Sequence, residues 1–293
     1  MKARVPRFVR LPQGAIGLGI FVFVVGVALL GPVFSPHDPN SIVGAPGSSP
    51  SAAFPFGTDY LGHDVLSQVL WGGRSTLWLG LAATALSFAL GMIVGAIAGY
   101  SRTLLDPVLM RLVDVVLSFP PLLLFILVVT GVGTSNLMII LTIAVILAPG
   151  IARIVYSATR EASVRGYTEA AVTRGENTPS ILVREILPNI MGPLIANLGL
   201  TITFAVLLVA GATYLGFGVQ PPEANWALMI SQNRDILAIN VWSTVVPAVM
   251  IALLTIGANM VGDAVSQTLG RSGRRTQAPT GVVEELAIPA EMI

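Results

Sequence analysis

Six stretches of this chain are each apolar for long enough to cross a bilayer, and that restricts its backbone to very few structures. A helix rises about 1.5 Å per residue and needs roughly 20 apolar residues to span the hydrocarbon core. The stretches fall near 15–34, 76–100, 112–131, 136–156, 193–217 and 242–264. A membrane barrel would also satisfy every backbone group, but its strands alternate apolar and polar residues, and these runs do not alternate. The sequence therefore predicts an all-α membrane protein with about six transmembrane helices. Composition agrees, since 11% of residues are charged against about 25% in a soluble domain.

Basic residues next to spans are retained in the cytoplasm, so their distribution sets the expected orientation. With the N-terminus inside, Lys2, Arg4, Arg7, Arg10, Arg102, Arg111, the arginines at 153, 160, 165, 174 and 184, and Arg271, Arg274 and Arg275 are all cytoplasmic. Only Arg74 and Arg234 fall outside. Both termini are then cytoplasmic. The first run follows a basic segment, as a signal peptide does, but it exceeds an h-region of about 7–15 residues and no A-x-A site follows it. It is expected to be retained. The organisation is thus a cytoplasmic segment 1–14, a first helix 15–34 and an extracytoplasmic segment 35–75. A core 76–264 follows, with five helices and a cytoplasmic loop 157–192, and then a cytoplasmic tail 265–293. Location in the plasma (inner) membrane of a prokaryote, with several passes, is the expectation.

Within the spans, Gly91, Gly95 and Gly99 put one glycine per turn on one helix face, a stripe that lets another backbone approach closely. Pro120-Pro121 interrupts the third run, Pro149-Gly150 the fourth and Pro247 the sixth. Each removes an intrahelical hydrogen bond, so kinks that line a path or gate are expected there. The few carboxylates near the spans, Asp114 within reach of Arg111 and Asp263 near the last span's cytoplasmic end, read as local ion-pair or helix-end groups.

Enzymatic chemistry is hard to place. A phosphate-binding loop needs a lysine in G-x-x-x-x-G-K-[ST], and the only lysine is Lys2. His37 and His63 are the only histidines and read as solvated loop residues, in no H-E-x-x-H arrangement, and there is no cysteine. No G-x-S-x-G elbow occurs. The chain is expected to be non-catalytic, with no cofactor or metal of its own and no nucleic-acid partner.

The polar segment between the fourth and fifth runs is longer than a simple connection requires. It mixes Arg153, Arg160, Arg165, Arg174 and Arg184 with Glu161, Glu169, Glu176 and Glu185. Residues 163–174 suit a short helix, Gly175 a C-cap, and Thr178-Pro179 the start of a second helix running to about Leu187, before Pro188. Two short helices joined at a glycine would form a knob able to seat in a soluble partner.

The order Glu169-Ala170-Ala171, three residues, Gly175, nine residues, then Glu185-Ile186-Leu187-Pro188 resembles the E-A-A signature of permease subunits of bacterial and archaeal ABC importers. Three further segments resemble the dipeptide, oligopeptide and nickel permease group, and its C-type subunit. They are Gly57 to Leu77, Asp114 to Pro120, and Tyr214 to Pro222, in that order along the chain. His63 stands where that group often has Arg, and Glu185 where it often has His. The resemblance implies the type I ABC importer permease fold and a heterodimer with a homologous permease. It also implies two ATPase subunits or domains that carry ATP and Mg, an extracytoplasmic solute-binding protein, and peptides as cargo, with nickel or another small solute as the alternative. Glu169, Ala170, Ala171, Gly175, Glu185, Leu187 and Pro188 would form the ATPase-coupling loop. Without that resemblance, a secondary transporter or a membrane scaffold would remain open readings of the same spans.

Overall fold

A computed structural model describes residues 12–275 of the chain, with side chains to 268. Lys2, Arg4, Arg7 and Arg10, and most of the 265–293 tail, lie outside the described residues. The described chain is all-helical. Its long helices are α1 (Pro12–Leu30), α2 (Val65–Tyr100), α5 (Asn136–Ser163), α8 (Leu187–Tyr214) and α10 (Trp242–Arg275). Shorter helices are α3 (Leu105–Leu117), α4 (Pro121–Val132), α6 (Gly166–Thr173), α7 (Thr178–Ser180) and α9 (Trp226–Gln232). Five helices are long and apolar enough to cross a membrane, or six if the bent α3–α4 pair counts as one span.

Several boundaries differ from those expected. The second span starts at Val65 rather than 76, because Asp64 caps it there by accepting from the Leu66 and Ser67 amides. The third run is not one kinked helix over 112–131: α3 starts at Leu105, and α3 and α4 meet at 93°. The cause is the proline pair. A residue before proline is pushed out of the helical region, and Pro120 is accordingly extended (φ −59°, ψ 126°) while Pro121 opens the new helix. By contrast, α5 and α10 run through Pro149 and Pro247 without a break, and α8 through Pro193. Packed neighbours in a bundle sustain a helix past one missing bond.

Three clusters of buried side chains hold the bundle. One joins α1, α2, α9 and α10 around fully buried Trp226, whose indole donates to the Val69 carbonyl at 2.8 Å. A second joins α2, α4, α5 and α8 around Phe125, Ile139 and Ile143. The third lies at the α5–α8 end and includes α6. The most extensive pairing is α2 with α5. There a side chain at Gly91 would meet Ile151 Cβ at 2.7 Å and the Ala148 carbonyl at 2.8 Å, and one at Gly99 would meet the Tyr156 carbonyl at 2.8 Å. Gly95 faces Ala152 and Val155 in the same way. The stripe lies against α5.

Residues 35–64 form an irregular cap fixed largely by polar contacts, with Phe56 packed against the first cluster. The Asp59 carboxylate, fully buried, accepts from the Leu61 and His63 amides, both at 2.8 Å, and from Gln68 Nε2 at 3.0 Å. Asn240 donates to the Phe56 and Thr58 carbonyls at 2.9 and 3.0 Å, tying the cap to the start of α10. His63 is not a solvated loop residue: its side chain is 12% exposed, with Nδ1 2.8 Å from Asp59 Oδ2.

Candidate functional site

The polar segment between α5 and α8 builds a compact knob at one end of the bundle. Helix α5 continues to Ser163, so the helix expected over 163–174 breaks at Val164-Arg165 and restarts as α6. The break is stitched by the Thr168 hydroxyl, which is buried and donates to the Ala162 carbonyl at 2.8 Å. Helix α6 ends as a Schellman motif: the Gly175 amide donates to Val172 O at 2.9 Å and the Glu176 amide to Ala171 O at 3.2 Å. This geometry requires a left-handed residue, and Gly175 supplies it with φ +78°.

The chain then re-enters helix at α7, where the Asn177 side chain accepts from the Ser180 amide at 2.9 Å. The expected stop before Pro188 does not occur. Residues Ile181–Ile186 form a π-helical turn in which the Leu187 amide bonds back to Leu182, and the helix passes through Pro188 into α8 as one rod, Thr178–Tyr214. Proline clashes with the carbonyl four residues earlier in a tight helix. A wider turn moves that carbonyl away and needs no Pro188 amide.

The knob has a dry underside and a wet face. Ala171, Ile181 and Ile186 are buried with Ala162, Val155 and Leu194, so α6 is seated on α5 and on the Ile181–Ile186 turn that leads into α8. Glu169, Ala170, Val172, Gly175 and Pro188 are exposed, while Leu187 and Glu185 are half-buried. Glu169 and Val172 border an open cleft of about 870 Å³ between α6 and the α2–α3 turn at Tyr100 and Arg102. Arg174 clamps the two sides of the knob, donating to Glu176 at 2.7 Å and to Glu185 at 3.0 Å. Its hydrogen bond, with a second from the Ser180 hydroxyl, holds the Glu176 carboxyl below the usual range. In turn, mainly through the Glu176 hydrogen bond, the Arg174 guanidinium is shifted up.

Next to the knob, α3 is bolted to α5 by ion pairs. Asp114 pairs with Arg153 rather than with Arg111 of its own helix. Asp106 pairs with Arg160 at 3.3 Å and accepts from the Tyr156 hydroxyl at 3.3 Å. Asp263 is exposed on α10.

Thus Glu169, Ala170, Ala171, Gly175, Glu185, Leu187 and Pro188 gather at one end, with Ala171 buried beneath the rest. The stripe Gly91, Gly95 and Gly99 runs along the α2–α5 seam leading toward the same end. Pro120 and Pro121 form the α3–α4 corner, whereas Pro149 and Pro247 sit inside continuous helices. Sequence reasoning did not single out Arg174, Thr168 or Asn177 as structural elements of the knob. Asn177 was readable, since Asn just before Thr-Pro is an N-cap signal. The Arg174 clamp spans the turn to Glu185 and has no periodic signature.

Comparison with known proteins adds to this geometry. Residues 91–272 match the family described as binding-protein-dependent transport system inner membrane component. Residues 5–52 match the N-terminal transmembrane domain of oligopeptide transport permease C. The chain is similar to the di/tripeptide transport system permease protein of Pseudomonas aeruginosa, 32% identical over 265 residues that cover 88% of each chain. It is also similar to the dipeptide transport system permease protein of Bacillus subtilis, 33% identical over 261 residues, 88% of this chain and 82% of that one. The oligopeptide transport system permease protein of the same organism is 32% identical over 256 residues, 87% of this chain and 84% of that one. Among solved structures, the inward-facing MetNI methionine ABC transporter shares the fold, with a TM-score of 0.55 at 20% identity, over 68% of this chain and 94% of that one. The chain therefore belongs to the binding-protein-dependent transport system inner membrane component family, in its group of dipeptide and oligopeptide permease C-type subunits.

Proposed function

We propose that this chain is the C-type permease subunit of an ATP-driven importer of short peptides in the plasma membrane of a prokaryote, with both termini cytoplasmic. It forms the translocation path with a homologous permease. A solute-binding protein delivers peptide at the cap formed by residues 35–64, and two ATPase subunits or domains dock on the knob and hold ATP and Mg. The chain itself performs no chemistry. Its work is to shift between inward-open and outward-open packings as the docked ATPases change state.

The observation that carries this reading is the construction of the knob. Its face is exposed and sets Glu169 and Arg174 beside Ala170 and Val172, so it is suited to a soluble partner. Its underside is buried on α5 and on the Ile181–Ile186 turn, and that turn is one continuous rod with α8. A displacement applied at α6 is therefore passed to two spanning helices rather than absorbed in a loop. The peptide assignment is supported by the names of the relatives, and the orientation by the bias of basic residues.

The test is co-purification with the ATPase subunits and ATP-driven peptide uptake in vesicles. Gly175→Val forces a β-branched residue into a left-handed position, and Glu169→Lys reverses an exposed charge. Both are expected to weaken ATPase association while membrane insertion stays intact. Normal association and uptake in both variants would contradict the docking role. Peptide uptake by vesicles that lack any ATPase subunit would instead favour a secondary transporter.

A further inference from the structure

At the end of the bundle that carries the cap, a cleft of about 450 Å³ opens beside the first turns of α2. Its size suits a small-molecule site, which ranges over about 300–1,000 Å³. One wall is a helical stripe at i, i+3, i+4 and i+7: Trp71, Arg74, Ser75 and Trp78. The lining also includes Asp38 from the cap and Glu223 from the segment after α8. The floor is rigid, since the Ser75 hydroxyl donates to Ala224 O at 3.2 Å and receives Asn225 Nδ2 at 2.8 Å.

The chemistry of this cleft is unfinished. Arg74 is exposed and has no ion pair or hydrogen bond among the described residues. Glu223 receives one hydrogen bond, from Asn136 Nδ2 at 3.1 Å, and neither it nor Asp38 has a basic partner among the described residues. The Trp71 indole N–H is buried without an acceptor among the described residues. Trp78 is 65% exposed over the same cleft. One basic and two acidic side chains therefore line the same cleft as two tryptophans. A ligand that completes the site carries a carboxylate for Arg74 and an ammonium for Glu223 and Asp38.

We propose that the Trp71–Arg74–Trp78 face of α2 and Glu223 form a transfer site for the zwitterionic backbone of a short peptide, which occupies it between release by the binding protein and passage into the membrane path. This rests on the peptide-importer reading above. The test uses the complete importer in vesicles and alanyl-(p-benzoyl)phenylalanine as a photoreactive dipeptide, irradiated after delivery by the binding protein and mapped by peptide mass spectrometry.

Adducts are expected within residues 71–78 or 222–224. They should be at least tenfold weaker in Arg74→Gln, partly restored in Arg74→Lys, and unchanged in Arg234→Gln, an exposed control. Association of the loaded binding protein with the importer should be the same in wild type and Arg74→Gln. Importer that accumulates the peptide but carries no adduct in those two segments overturns the proposal. So does equal labelling in Arg74→Gln, or a labelling loss matched by loss of that association, which would make the cleft a docking contact for the binding protein. Wild-type importer that accumulates no peptide with ATP refutes the peptide reading itself, and the transfer site with it.

Discussion

Replacing Gly91 with alanine tests whether close helix contact holds the α2–α5 seam. Lipid tails are as apolar as the side chains that would leave them, so helix association in a bilayer depends on van der Waals packing rather than on hydrophobic burial. The added methyl would sit 2.7 Å from Ile151 Cβ and 2.8 Å from the Ala148 carbonyl. Carbon contacts are optimal at about 3.5–4.0 Å, so the helices must separate locally by about 0.8 Å. A gap of that size forfeits roughly a quarter to a half of each atom-pair attraction along the seam. The carbonyl belongs to the α5 backbone and cannot rotate away, so the strain is not relieved by a rotamer change. Overpacking of this kind costs about 1–3 kcal/mol, and a central value of about 2 kcal/mol lowers Tm by about 3 °C for a chain of this length.

The control is Gly26→Ala in the middle of α1, where an added Cβ meets no atom within 4 Å. Thermal unfolding of the purified subunit complex in detergent is the assay. Unchanged stability in Gly91→Ala, or an equal loss in Gly26→Ala, would refute the reasoning.

Two further substitutions address the knob and the cap. Arg174→Gln removes the clamp between Glu176 and Glu185. Because the Glu176 carboxyl is held below its unfolded value, the stabilisation is complete above the ordinary carboxylate range and is lost as pH falls through the depressed value. Hydrogen exchange at α6 amides, corrected for intrinsic rates, should show wild-type protection persisting to lower pH than in Arg174→Gln; coincident pH profiles would count against the clamp. Asp59→Ala leaves the Leu61 and His63 amides and Gln68 Nε2 without their acceptor. It should destabilise the cap by about 2–4 kcal/mol, seen as faster proteolysis within residues 37–64, and a wild-type digestion rate would contradict the assignment.

Features set by local pattern were readable in the sequence. Long apolar runs gave the spans, the one-per-turn spacing of Gly91, Gly95 and Gly99 gave a close-contact face, and Gly175 gave the turn after α6. Features set by partners distant in sequence were not readable. Nothing in the order of residues says that Asp114 pairs with Arg153 instead of Arg111, since that depends on how α3 lies against α5. The proline rules also cut both ways: two adjacent prolines break the helix at Pro120-Pro121, while Pro188 is accommodated by a π turn and Pro149 by a packed bundle. Burial of Asp59 was equally hidden, because polar residues in a Gly-rich stretch look solvated until the fold closes over them.

The central claim is that α6 is the surface through which a separate ATPase moves the helices of this chain. The chain contains no cysteine, so single cysteines report contacts without background. Val172 on α6 is 54% exposed and Ile239, on the connection between α9 and α10, is 66% exposed. In the assembled importer, Val172→Cys paired with single cysteines on the ATPase is expected to form disulfide cross-links whose yield changes on ATP binding, and which stop uptake until reduced. Ile239→Cys should form none with the ATPase. Cross-links from Ile239 but not from Val172, or an α6 cross-link that leaves uptake unaffected, would contradict the account.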